Sequence, residues 1–251
     1  MADQLIELAD GIWSIRGTFR TALVLDIGTQ STLIRRPSGR FLLLDAYTLS
    51  GAVREQVWAL TDGGRAIDAI VNLHPFHTIH VAAVAAALPH AALYGTRRHH
   101  QRAPDLRWAP EFSEDEGIRA LFADVLSFTV PRGVDFVSAN EKLHFASVLA
   151  IHAASGTLIV DDTLMWSRWP VLHGLTFHPT LKQVLQPRAG AAAEFRAWVD
   201  ELIVACADIR QIAVAHIHLP PREPAGVWPE RIRAAMAAVQ PIVDAHERRH
   251  G

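Results

Sequence analysis

The stretch Val71-Asn72-Leu73-His74-Pro75-Phe76-His77-Thr78-Ile79-His80 joins two apolar runs and carries three imidazoles at intervals of three. Upstream, Ile67 to Val71 has the pattern of a strand covered on both faces. Downstream, Val81 to Leu88 holds almost nothing but Ala, Val and Leu before Pro89, which predicts a buried helix. Imidazole is the commonest protein metal ligand, and histidines gathered where a strand gives way to a helix mark a candidate metal site. The plainer alternative is one face near a helix start, with Pro75 at the first helical position.

Working outward, Phe41 to Asp45 is a second continuous apolar run, ending on a carboxylate, and Val53, Val57 and Leu60 recur at helical spacing. With Ala92 to Tyr94 as a further short strand, the centre reads β-α-β. The N-terminal third reads as hairpins: Leu5 to Leu8, Ile12 to Ile15, Thr21 to Leu25 and Ser31 to Arg35, separated by Asp10-Gly11, Gly28 and Pro37-Ser38-Gly39. Thr96 to Ser113 has no period and is expected to be a long loop, its Arg97 to Arg102 segment either an attractor of anions or a solvated run. A helix is expected from Asp115 to Leu121. Strands follow at Val134 to Val137, Leu143 to Ala150, Gly156 to Val160 and Ile209 to Ala215, with helices at Thr180 to Val184, Ala191 to Ala205 and Pro229 to His246.

Composition narrows the function classes. The 251 residues, half of them apolar, suffice for a full two- or three-layer core, and one large domain spanning 1–251 is expected. Lys and Arg number 24 against 26 Asp and Glu, so no global field favours nucleic acid or an anionic membrane, and a small-molecule substrate or ligand is the expected partner. No run of about 18 apolar residues is present to span a bilayer, and no signal-peptide pattern opens the chain. The single cysteine, Cys206, lies in an apolar run and reads as a reduced core thiol, in keeping with a cytoplasmic protein.

Four places put donors at strand ends: the histidines at 74, 77 and 80; His144; Asp161-Asp162; and His216-Ile217-His218. Their chain order resembles the metallo-β-lactamase fold superfamily, an α/β (α+β) four-layer αββα sandwich with a metal site on loops at one edge of two facing sheets. The superfamily's first motif is His-x-His-x-Asp-His. Leu88-Pro89-His90-Ala91-Ala92-Leu93-Tyr94-Gly95 resembles its continuation and sets the alignment, with His77 on the second histidine and His80 on the third. Pro75 then stands for the first histidine and Ile79 for the aspartate, so the motif is degenerate. His144-Phe145-Ala146-Ser147 resembles the next histidine element. Asp161-Asp162-Thr163-Leu164 resembles the Gly-Asp-x-Leu element, and Val214-Ala215-His216 the terminal histidine.

The resemblance implies metal ligands at His77, His80, His144, Asp162 and His216, with His74, Asp161 and His218 as further candidates. One family site keeps His77, His144 and Asp162; the other keeps His80, His216 and Asp162. Three or four such donors suffice for one divalent ion, zinc or iron. The function implied is a metal-dependent hydrolase of unknown substrate, with a one-iron oxygenase as a related chemistry. The alternative is a catalytically inactive member of the fold acting as a binding or interaction module. His99, His100, His173 and His178 are candidates for a supporting role only, and Trp166 and Trp169 either wall a pocket or fill the core.

Overall fold

The computed structural model describes residues 3–21, 25–167, 174–216 and 218–251. By backbone contacts the chain divides into two compact units: residues 1–127 with 215–217, and 128–214 with 218–251.

The first unit is built on a seven-stranded sheet. Its strands are β1 (Gln4–Ala9), β2 (Ile12–Gly17), β5 (Thr29–Arg35), β6 (Phe41–Leu44), β7 (Ile67–Val71), β8 (Ala92–Gly95) and β9 (Trp108–Phe112), hydrogen-bonded in that order. The hairpin half, β1 to β6, is antiparallel; β6, β7, β8 and β9 run parallel, as crossover connections through helices require. The expected strand at Thr21 to Leu25 is instead a small antiparallel pair, β3 (Arg20–Thr21) and β4 (Leu25–Asp26), and residues 22–24 lie outside the described set.

Helices α1 (Gly51–Leu60) and α2 (Val81–Ala87) make the crossovers. Val53 and Val57 of α1 and Val81 and Val84 of α2 join Trp13, Ile15, Leu33, Leu43 and Ile70 in one apolar cluster. Helix α2 is not buried all round as its composition suggests. Ala82, Ala83, Ala86 and Ala87 are exposed, because alanine's small side chain allows either face, and only Val81, Val84 and Leu88 are held in the core.

The segment 96–113 is ordered, against expectation. It contains α3 (Arg97–Arg102) and the edge strand β9, followed by α4 (Glu116–Leu121). Thr96 caps α3 reciprocally: its side chain accepts the His99 N–H, while His99 Nδ1 accepts the Thr96 N–H at 3.2 Å. Nor is Arg97 to Arg102 simply a patch facing solvent. Arg97 pairs with Glu114 and Asp115, and Arg98 donates to the Pro75 carbonyl at 3.0 Å with its guanidinium 4.3 Å from the centre of the Phe76 ring.

The second unit holds a four-stranded sheet, β10 (Ser127–Thr129), β11 (Leu149–His152), β12 (Thr157–Val160) and β15 (Gln211–Val214). It also holds the hairpin β13 (Leu164–Ser167) with β14 (Gly174–Phe177), and helices α5 (Leu181–Val184), α6 (Ala191–Ala205) and α7 (Val227–His250). Phe195, Trp198 and Leu202 of α6 and Trp228, Ile232 and Val243 of α7 pack with Leu149, Leu158, Val160, Ile212 and Val214 of the sheet. Trp166 belongs to this core, its ring 5.7 Å from Trp228. Cys206 is fully buried and unpaired, and burial pushes its thiol up to about 12.

Two expected strands are altered. Val134 to Val137 makes only an isolated bridge, Val134 to Leu185. Residues 143–148 run without a ladder because Thr163 supplies the bonds: its hydroxyl donates to the Phe145 carbonyl at 2.9 Å and accepts the Ser147 N–H at 3.1 Å.

Candidate metal centre

In the first unit the site begins at the C-terminal ends of β6 and β7. Asp45 closes β6 at a left-handed φ of 56°, uncommon for a residue with a Cβ, and its Oδ1 accepts the Leu73 N–H at 2.7 Å. Asn72 closes β7; its Oδ1 accepts the Ala46 N–H at 3.1 Å and its Nδ2 donates to the Tyr94 carbonyl at 2.9 Å. Together these amides tie three parallel strand ends and fix where the chain leaves the sheet. The next residue but one, His74, is fully buried.

His74 and His77 lie against each other, ring centroids 4.1 Å apart, each offering a ring nitrogen within 4.8 Å of the other's. His77 lies edge-on to His216, centroids 5.7 Å apart, since residues 215–217 belong to this unit. The His216 ring also stacks at 6.4 Å on Phe19 from the β2–β5 connection. Behind the group, His99 Nε2 donates to the His77 carbonyl at 3.3 Å. Burial drives the His99 pKa down to about 4, so this ring is neutral and holds the loop as a hydrogen-bonding strut.

His80 is placed elsewhere: its Nδ1 is 2.9 Å from the Thr48 hydroxyl and its ring 4.8 Å from Tyr47, and burial lowers its pKa. Ile79, at the family's aspartate position, is 72% exposed.

In the second unit, Asp161 and Asp162 are both buried directly after β12. His144 Nδ1 is 3.9 Å from Asp162 Oδ2, too long for a hydrogen bond. His178 Nδ1 lies 2.8 Å from the Thr180 hydroxyl, which donates to the His144 carbonyl at 2.8 Å. His218 is partly exposed in this unit. His100 lies in the first unit between Trp108 and Phe112. Trp169 and His173 lie outside the described residues.

Donor chemistry decides whether these residues suit a cation. A carbonyl oxygen only accepts, so the ring nitrogen beside it must carry the proton, leaving the other ring nitrogen with a free lone pair when the ring is neutral. His216 Nδ1 lies 2.7 Å from the Gly28 carbonyl, which places the ring proton on Nδ1. His144 Nε2 lies 2.9 Å from the Glu141 carbonyl, which places its ring proton on Nε2. This backbone-oriented arrangement is the usual support for a metal-binding histidine. The 3.9 Å between His144 Nδ1 and Asp162 Oδ2 is also shorter than two zinc coordination distances laid end to end, about 4.2 Å, so one ion can contact both. His74 fits less well: its Nδ1 accepts the Phe76 N–H at 3.3 Å, which leaves the ring proton on Nε2.

No protein-family model and no curated protein sequence matches the chain. Solved structures do. The metallo-β-lactamase of Hirschia baltica is 16% identical, with a TM-score of 0.58 over 97% of this chain and 98% of that one. The chain has the metallo-β-lactamase fold. The Erythrobacter litoralis metallo-β-lactamase agrees over 98% of this chain and 96% of that one at 17% identity and a TM-score of 0.58. The FIM-1 metallo-β-lactamase of Pseudomonas aeruginosa, solved in a mono-zinc form, agrees over 95% and 96% at 12% identity and a TM-score of 0.61. The αββα class expected from the sequence is therefore met, while identities this low carry the fold and leave activity open.

Asn72 and Phe19 carried no signal in the sequence; Asp45 was marked there only as the carboxylate closing an all-apolar strand, and Arg98 only as part of the basic run Arg97 to Arg102.

Proposed function

We propose that the protein is a metallo-β-lactamase-like, metal-dependent hydrolase using one divalent ion, zinc or iron. The ligands are drawn from His77, His144, Asp162 and His216, with His74 beside His77. The observation that carries this reading is the pair of imidazoles, His216 and His144, each with one ring N–H held by a backbone carbonyl, the support by which a metal-binding histidine is usually oriented. His74 and His77, with ring centroids 4.1 Å apart, add potential donors, and the mono-zinc form of the Pseudomonas aeruginosa relative supports a single ion on this fold.

A divalent ion so held would polarise a carbonyl or phosphoryl oxygen and acidify water. The chain's own contribution is positioning. Asp45 and Asn72 set the exit of the histidine loop, His99 braces it from behind, and buried Asp162 brings the negative charge that offsets a cation.

The second reading is a binding module without turnover, which the exposed Ile79 favours, because the family's carboxylate is missing there. Chelator-stripped protein reloaded with zinc or ferrous iron, screened on esters, lactones and phosphodiesters, separates the two. Hydrolysis of one class, lost on stripping and in Asp162→Asn, is expected. Metal-loaded protein that cleaves none of the three classes would refute the hydrolase reading.

A further inference from the structure

Away from the histidine loop, the second unit carries a cavity of about 820 Å³ formed by the segments 135–143, 182–187 and 241–250. That volume suits a small organic ligand, pockets for such molecules running to roughly 300–1,000 Å³. Leu143, Leu185 and Ile242 give it an apolar floor, and Pro241, inside α7, lies on its wall.

The rim is charged with one dominant sign. Lys182 and Arg249 line the cavity, and neither has a carboxylate partner among the described residues. His246 and His250, four residues apart on α7 with rings 4.6 Å from each other, add imidazoles on the same wall. Asp135 is the only carboxylate in the lining. The acidic residues of α7 nearby, Asp244 and Glu247, are both taken up by Arg196 on α6. Near the cavity α7 thus engages Asp244 and Glu247 with α6 and presents Arg249, His246 and His250 to the lining.

We infer that this cavity is a binding site for an amphipathic organic anion, its apolar body on Leu143, Leu185 and Ile242 and its carboxylate or phosphate head at Lys182 and Arg249. The inference stands apart from the metal centre and from any hydrolytic activity. Cationic side chains left without partners beside an apolar floor select for such a molecule over a neutral or cationic one of equal size.

Isothermal titration calorimetry of the full chain with decanoate, decyl phosphate and decyltrimethylammonium tests it. Saturable binding of about one equivalent is expected for at least one anion, the two anionic probes distinguishing a carboxylate from a phosphate head, and none for the ammonium. The double charge reversal Lys182→Glu, Arg249→Glu, on two exposed side chains, should weaken anion binding about tenfold or more. Lys182→Gln should give a smaller loss in the same direction. Equal affinity for the ammonium probe, unchanged affinity in the reversed variant, or no saturable heat with either anion up to ~1 mM would overturn the proposal. So would a concentration-dependent dimer that the reversal disrupts, since the cavity would then be filled by a second copy.

Discussion

A histidine's usefulness as a ligand depends on which nitrogen its surroundings leave free. Of fourteen histidines in the chain, spacing and chain order singled out His77, His80, His144 and His216, and the backbone carbonyls beside the last two supply a reason that no spacing contains. Glycine positions carry a similar hidden constraint. A Cβ on Gly17 would sit 2.1 Å from Cζ of Tyr47, a ring that is 5% exposed with its hydroxyl bonded to Asp3. Gly17→Ala should therefore cost about 1–3 kcal/mol, read from urea unfolding; an unchanged midpoint would show that the ring has room to move. Burial also sets a pH dependence. His152 is 4% exposed, and burial lowers its pKa below the ordinary 6.5. Above pH 6.5 both folded and unfolded forms are neutral and nothing is lost. As pH falls below 6.5 the unfolded chain takes a proton that the folded chain resists, so stability declines. Urea midpoints at pH 8 and pH 5.5 should show a smaller decline in His152→Gln than in the parent, and equal declines would assign the loss to other groups.

At the level of elements, the β6-α1-β7-α2-β8 core was legible almost to the residue, since covered parallel strands and amphipathic crossovers each leave a strong pattern. Helix α3 was not. Its six residues, Arg-Arg-His-His-Gln-Arg, bury only His99, so no apolar period announces it. It is held by a capping box in which histidine stands where Glu or Gln is usual. Thr96→Ala should lose about 1 kcal/mol and Thr96→Ser much less, by the same denaturation assay; equal losses would point to the threonine methyl rather than the cap. Strand β9 escaped notice because Pro110 argues against a strand, and it is tolerated here because β9 lies at the sheet edge. The β13–β14 hairpin was missed because each described strand has only four residues, too few for alternation to stand out.

For the whole molecule, the fold was the most legible level, because order along the chain survives where individual motif residues do not. Hairpins, β-α-β crossovers and donors at four strand ends led to the metallo-β-lactamase fold, and solved structures at 16% and 17% identity agree over nearly the full chain. The site was legible in part: the chain order named the candidate ligands, while the backbone carbonyls that orient His144 and His216 came only from the structure. Among the described residues no helix is long and apolar enough to cross a membrane. The central claim is that this chain, with Pro75 and Ile79 in its first motif, still holds one divalent ion. Elemental analysis of protein purified without a histidine tag tests it most directly, together with His77→Ala and Asp162→Ala. About one equivalent of zinc or iron in the parent, lost in both variants, is the predicted result. Less than about a tenth of an equivalent in the parent after reconstitution with either metal would contradict it.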